Sequence, residues 1–261
     1  MSDRVVGRGR ISEVLAWSDG QVLKLFHCEV GRAEAEREAR AARMVHQAGA
    51  PCPAVGAVVE HLGRAGIVYQ RVEGHTMLQR PLRLISAGGS LAELHARVHQ
   101  LEVPGLPSQR ERLQKQIERA PVVSSRTRAA ALRALDRLPG GNRLCHGDFH
   151  PGNVMIAKDR EVIIDWHDAA HGNPVADVAR TCLLLQTAHW SFRGILKLAV
   201  WLSGQHLARH YRRRYLELVP GARAQLADWQ LPVAVARLSE GVAGAGPGLV
   251  RLAEKLAQRT R

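Results

Sequence analysis

The sequence predicts an α+β protein of two lobes: a small β-rich N-terminal lobe with one helix, residues 1–71, and a larger, mainly helical C-terminal lobe, residues 72–261. Two observations carry this. Up to about residue 71 the apolar residues fall in short runs broken by Gly and Asp-Gly turns; beyond Gly74 they recur at helical spacing. The chain is also long enough, at 261 residues with 46% hydrophobic content, to bury a full core.

"SEVLAW" and "QVLKLF" flank Asp19-Gly20, the signature of a β-hairpin. Residues 32–47 are rich in Ala, Glu and Arg and close on Gly49 and Pro51, which predicts a helix. "AVGAVVEHLGRAGIVYQRV" gives two more strands around Gly63. "SLAELHARVHQL" is an amphipathic helix with Leu91, Leu94, His95 and Val98 on one face. Two further helices are predicted over 107–137, separated near Pro121. After "LPGG" comes "LCHGDFHPGNV", then two short strands, "VMIA" and "EVIID", around a "KDR" turn. From Asp177 the pattern is helical, with breaks at Pro220 and "GAGPG".

No apolar run is long enough to span a bilayer, and the first residues lack the apolar core of a signal peptide. Cys28, Cys52, Cys145 and Cys182 are scattered without a CxxC pair, which suits a reducing cytoplasm and argues against a zinc ribbon. The net charge is +13, and from Arg180 onward 13 Lys/Arg face four acids. "RHYRRRY" is read as the solvated face of a helix, because no aromatic platform accompanies it; neither a nucleic-acid nor a membrane partner is expected.

The chemistry concentrates in "LCHGDFHPGNV". A metallohydrolase reading would use His146, Asp148 and His150, but the H-E-x-x-H pattern is absent. A phosphoryl-transfer reading needs a carboxylate to take the acceptor's proton, hard oxygen ligands for a divalent cation, and a lysine on the nucleotide phosphates. Asp148 and Asn153 have the D-x-x-x-x-N spacing, and Asp165 in "IIDW" follows the hairpin after Asn153, so the two can share a magnesium ion. Lys24 is a lone lysine in an apolar strand and needs a buried partner. Glu38 shares its helix face with Ala35, Ala41, Ala42 and Val45; Glu34 is the competitor. "GRGRISEV" offers Gly9 near possible phosphates, with Ser12 where the third glycine of G-x-G-x-x-G would stand.

"HGDFHPGN" together with "IIDW" resembles the aminoglycoside phosphotransferase/choline-kinase-like family of small-molecule kinases, which has the protein-kinase-like fold. "GRISEVLAWSDGQVLKLF", "EREARAARMVHQAGAPCP" and "GNPVADVART" extend the resemblance over nearly the whole chain. It implies Asp148 as catalytic base, Asn153 and Asp165 as Mg2+ ligands, Lys24 on the phosphates of ATP or GTP, and Glu38 orienting Lys24. It further implies that the crossing segment, Gln70 to Val72, meets adenine, and that His146, His150 and Asp177 brace the loop. Gly147 stands where protein kinases carry arginine, which favours a small-molecule acceptor. The basic C-terminal half favours a neutral or anionic hydroxyl compound, such as a sugar or metabolite, over a polycationic aminoglycoside. Trp166, Trp190, Trp201 and Trp229 could form a platform for a sugar, but each is expected in the core. A nucleotide-binding module without turnover and the metallohydrolase are the alternatives.

Overall fold

The computed structural model describes residues 4–80, 86–192, 194–241 and 246–259. The chain divides into two compact units, one of Met1–Gln79 with Gly152–Ala169, the other of Arg80–Pro151 with Ala170–Arg261. The division differs from the expected one after residue 71. Two interactions explain it. β6 (Gly74–Thr76) pairs antiparallel with β8 (Val154–Ala157), and the Ile163 N–H donates to Pro51 O at 2.6 Å. The hairpin of β8 and β9 (Glu161–Ile163) therefore belongs to the first unit. Gly74 is required there, since a Cβ would sit 2.3 Å from the Ile156 carbonyl oxygen.

The first unit is built on a five-stranded antiparallel sheet in the order β1 (Val5–Arg8), β2 (Ser12–Ala16), β3 (Gln21–Phe26), β5 (Arg64–Gln70), β4 (Val55–His61). β2 and β3 form the expected hairpin, and β4 and β5 the second. β1 was not expected; its exposed valines and glycine give too short a pattern to read. Alternation along β3 sends Leu23 and Leu25 to one face, where they pack with Leu15 and Val68. Phe26 goes to the other and packs with Ile67 and with Ala35 and Ala39 of α1 (Arg32–Gln47). Lys24 has the parity of Phe26, so the same alternation turns it toward α1. Each leucine removed from water here contributes on the order of 2 kcal/mol.

The second unit is mainly helical. Its helices are α2 (Gly88–Val98), α3 (Gln109–Arg119), α4 (Ser125–Arg137), α5 (Pro174–Thr187), α6 (Gly194–Leu218), α7 (Gln230–Arg237) and α8 (Gly246–Arg259). α2 and α5 both pack on α6, and α3, α4 and α8 on α7. Two residues of the predicted "GAGPG" break lie outside the described residues, and α8 begins within it. α5 starts where capping rules place it: the Asn173 side chain accepts the Val175 N–H at 2.8 Å, with Pro174 in the first turn. A short ladder of β7 (Arg143–Cys145) and β10 (Ala170–Gly172) closes the unit beside the HGD loop. Among the described residues no helix is long and apolar enough to cross a membrane.

Candidate active site

The first unit holds a buried charge cluster. Lys24 Nζ lies 2.7 Å from Glu38 Oε1 and 2.7 Å from Asp165 Oδ1. Burial alone would lower the lysine pKa; the two carboxylates outweigh it and raise the pKa above its ordinary value. Glu38 is almost wholly buried and also accepts the Tyr69 hydroxyl at 3.1 Å, while His167 Nδ1 lies 3.2 Å from its other oxygen. Glu34 instead pairs with Arg37 on the exposed side of the helix and lies 3.5 Å from His167 Nε2. Glu38 is therefore the partner of Lys24. Tyr69 and His167 completed this cluster without being anticipated; alternation along β5 places Tyr69 on the Ile67 face, which was a usable signal.

Asn153 and Asp165 stand at the same end of the β8–β9 hairpin. Val154 pairs with Ile163, and the Ile164 N–H donates to Asn153 O at 2.9 Å. Asp165 has φ 64° and ψ 64°, in the left-handed region that a non-glycine residue occupies at a cost of about 1–3 kcal/mol. Such strain persists only where the surroundings over-determine it, here with the carboxylate on Lys24. The donor set of one carboxylate and one amide oxygen suits a hard divalent cation such as Mg2+.

At the opposite side of the sheet sequence, the Gly9 N–H donates to Ser12 O at 2.7 Å and closes the turn between β1 and β2, and Ser12 is buried. Gln70 ends β5: its N–H donates to Ala54 O at 2.9 Å, and that of Arg71 to Gly20 O at 2.8 Å. Val72 follows, half-buried and outside any strand.

The second unit holds Asp148. Gly147 has φ 81°, a conformation open to glycine, and the loop around it is tied to Asp177. The Asp177 carboxylate accepts the His146 N–H at 2.6 Å and the Gly147 N–H at 3.0 Å. It is fully buried and is itself held by α2: His95 Nε2 lies 3.1 Å and His99 Nε2 3.5 Å from Oδ2. Tyr211 and Tyr215 of α6 lie 2.7 Å from the Nδ1 atoms of His95 and His99 respectively. A carboxylate only accepts, so the His95 Nε2–H donates to Asp177, and Nδ1 of the neutral ring accepts the Tyr211 hydroxyl. Burial pushes His95 down to about 3, so it is neutral. Burial would raise Asp177, but hydrogen bonds from the two histidines hold it well below the carboxylate range. His95 thus shares a helix face with Leu91, Leu94 and Val98 yet has two polar partners. "RHYRRRY" is only half a solvated face, since Tyr211 and Tyr215 are core. The paired i,i+4 spacings, His95/His99 and Tyr211/Tyr215, were the signal for this network.

Around Asp148 itself, His150 Nε2 lies 3.5 Å and Arg180 Nη2 3.6 Å from its carboxylate oxygens. Burial would raise the Asp148 pKa; the His150 hydrogen bond and the charges of His150, Arg180 and His146 reverse this and hold it well below the ordinary carboxylate range. Asp148 is therefore ionised at neutral pH. Arg180 also donates to Gly147 O and pairs with Glu240 at 2.6 Å, which Arg237 meets at 2.7 Å. His146 points away from a metal-binding role: its Nδ1 accepts the Asp148 N–H at 3.1 Å. Among the described residues the one group of three metal-type ligands within 4.8 Å is His95, His99 and Asp177, not His146, Asp148 and His150. Of the four tryptophans expected in the core, Trp166 and Trp229 are there, Trp190 is half-buried, and Trp201 is exposed.

Residues 4–229 match the model of the phosphotransferase enzyme family. The chain belongs to that family. The chain is therefore a phosphotransferase, and the metallohydrolase alternative falls. No curated protein matches it by sequence. Its fold is that of solved small-molecule kinases. A thermostable mutant of aminoglycoside phosphotransferase APH(4)-Ia, in ternary complex with ADP and hygromycin B, superposes with a TM-score of 0.70 at 17% identity, covering 98% of this chain and 92% of that one. A choline/ethanolamine kinase family protein from Mesorhizobium loti gives 0.62 at 17% identity, over 97% and 85%. The amicoumacin kinase hAmiN, in complex with AMP-PNP, Ca2+ and Ami, gives 0.57 at 17%, over 97% and 87%.

Proposed function

We propose that this phosphotransferase moves the γ-phosphoryl group of Mg-ATP to a hydroxyl of a neutral or anionic small molecule. In the balanced step the acceptor oxygen bonds to the γ-phosphorus, the bond from that phosphorus to the β–γ bridging oxygen breaks, and the hydroxyl proton goes to Asp148. ADP leaves with the bridging oxygen. Lys24 would neutralise nucleotide phosphates, Glu38 would hold Lys24 in place, and Val72 would offer backbone groups to adenine. Gln70 and Arg71 have spent their amides on Ala54 and Gly20, and Gly9 has spent its own on Ser12, so Val72 is the favoured contact in the crossing segment. Asn153 and Asp165 would hold Mg2+, which stabilises charge on the transferring group when bound.

The observation that carries the reading is the Lys24–Glu38–Asp165 cluster: a buried cation balanced by one deeply buried carboxylate and one carboxylate exposed enough to take a metal ion. The acceptor class is supported by Arg180. Its guanidinium stands beside Asp148 and is bound in turn to Glu240, so the base is bordered by cation as well as acid. A polycation would meet that charge with repulsion, whereas a sugar, an amino alcohol with one charge, or an anionic metabolite would not. The similar structures hold hygromycin B in one case and belong to an amicoumacin kinase in another, so the fold takes small molecules of different kinds. The test is release of ADP from Mg-ATP, and separately from Mg-GTP, across sugars, amino alcohols, nucleosides and aminoglycosides. Turnover with a neutral or anionic acceptor is expected; higher kcat/KM with aminoglycosides overturns the acceptor class.

A further inference from the structure

The first half of α6 is at odds with the rest of the chain. Ile195, Leu196, Leu198, Trp201 and Leu202 are all exposed, Ile195 by 81% and Leu202 by 54%, and Phe192 just before the helix is exposed as well. A helix apolar on every side belongs in an apolar medium or against a partner. The second half is different: Leu207, Ala208, Tyr211 and Tyr215 are buried, and Arg209, Arg212 and Arg213 are exposed, with Glu217 and Leu218 exposed in the last turn.

The two halves share one stripe. At 100° per residue, Ile195, Leu198, Trp201 and Leu202 lie on the same face as Arg209, Arg212 and Arg213. All of these are exposed, Arg213 while pairing loosely with Glu217 at 3.5 Å. The stripe is apolar for its first turns and cationic for its last. Lys197 flanks the apolar part, with a stem long enough to carry its charge past an apolar boundary. Between Asp177 and Glu217 the chain contains no acid at all.

We infer that this face of α6 docks on a membrane surface bearing anionic lipid, the helix lying along the interface. The apolar turns enter the boundary of headgroups and acyl chains, Trp201 sits at headgroup level, and the arginines meet lipid phosphates. Charge complementarity selects this occupant. A second copy docked through the same stripe would set arginine against arginine, whereas an anionic bilayer supplies an apolar layer and negative charge together. The inference departs from the expectation of no membrane partner, which rested on the lack of a spanning segment; a helix lying on a surface needs none. It implies that phosphorylation occurs at or near a lipid surface, and it does not depend on which acceptor is used.

The test is flotation of the full chain with vesicles of neutral phosphatidylcholine, and with vesicles containing anionic phosphatidylglycerol, at low and high salt. The expected result is at least a tenfold greater bound fraction on anionic vesicles at low salt, reduced by high salt. The double substitution Leu198→Glu, Trp201→Glu should abolish binding, and Arg209→Glu, Arg212→Glu should lower it about tenfold. These side chains lie outside the nucleotide and base clusters, so ATP affinity measured by calorimetry should stay at the parent value and report that each variant is folded. Three results overturn the inference: no binding to anionic vesicles, equal binding to neutral and anionic vesicles, or a self-associating protein that the double substitution makes monomeric while vesicle binding is absent throughout.

Discussion

Lys24 Nζ and Asp165 Oδ1 lie 2.7 Å apart, although 141 residues separate them in the chain. The ammonium thus reaches from the core strand of a sheet to the end of a hairpin whose sequence lies far downstream. Glu38 completes the arrangement from α1, and the cluster has two carboxylates to one lysine, with His167 beside Glu38.

Removing the cation leaves Glu38 in a buried position with Tyr69 and His167 alone. Lys24→Ala should lower the unfolding free energy by about 3 kcal/mol, as expected when one partner of a buried ion pair is removed. It should also weaken ATP binding at least tenfold. Glu38→Gln keeps the shape and a hydrogen-bond acceptor, so its stability loss should be smaller. Urea denaturation and calorimetric titration with Mg-ATP check both.

Asp165 combines a strained backbone with a side chain proposed to hold Mg2+, and the two can be separated by substitution. Asp165→Ala and Asp165→Gly should both abolish Mg2+-dependent nucleotide binding. The glycine variant should be the more stable of the two by about 1 kcal/mol, because its backbone accepts the left-handed conformation without a Cβ clash. Equal stabilities would show that the conformation observed at this residue is not strained.

Asp148→Asn keeps the side-chain shape but removes the proposed proton acceptor. We expect kcat to fall about 10^2- to 10^4-fold, the range typical of general-base removal, with the Kd for Mg-ATP within about twofold of the parent. Stopped turnover with lost nucleotide affinity would instead assign Asp148 to nucleotide binding.

The histidine–aspartate network predicts acid sensitivity. Burial holds His95 down to about 3, whereas an unfolded histidine titrates near pH 6.5, so the unfolded chain binds the extra proton between those values. Its contribution to stability is full above about pH 6.5 and declines as pH falls toward 3, with a limiting slope of about 1.4 kcal/mol per pH unit. Asp177 is depressed too, so its share is present above the ordinary carboxylate range and is lost as pH falls below it. His167 has the opposite sign: its hydrogen bond to Glu38 raises its pKa against the effect of burial, so its share is full below about pH 6.5 and disappears as pH rises through the raised value. Urea midpoints measured from pH 4 to 9 should peak near neutrality, and His95→Gln should flatten the acid limb. A parent profile flat between pH 4 and 7 would show that His95 is not buried and neutral.

Much of the first unit was legible because its signals are local. The β2–β3 turn needs Asp19-Gly20, α1 needs its Ala/Glu/Arg composition, and Lys24 declares itself by being charged in an apolar run. The choice of Glu38 over Glu34 followed from one helix face. β6, β7 and β10 escaped notice because three residues cannot display an alternation, and their pairings join distant parts of the chain. The same non-locality hid Tyr69 and His167 around Glu38, and the tyrosines behind His95 and His99. Trp201 was misplaced for another reason: an apolar helix turn normally means core, and composition does not distinguish a buried turn from one left open to water.

The insertion of residues 152–169 into the first compact unit has a consequence for biosynthesis. A nascent chain that has emerged as far as residue 79 carries β6 with no strand to pair with, and Lys24 without its second carboxylate. Some seventy residues of intervening polypeptide must be synthesised before those partners emerge, so the first-made segment is among the later ones to be completed. Chaperone dependence, and the failure of a gene split at codon 79 to yield two separately folding halves, would both stem from this threading of the chain.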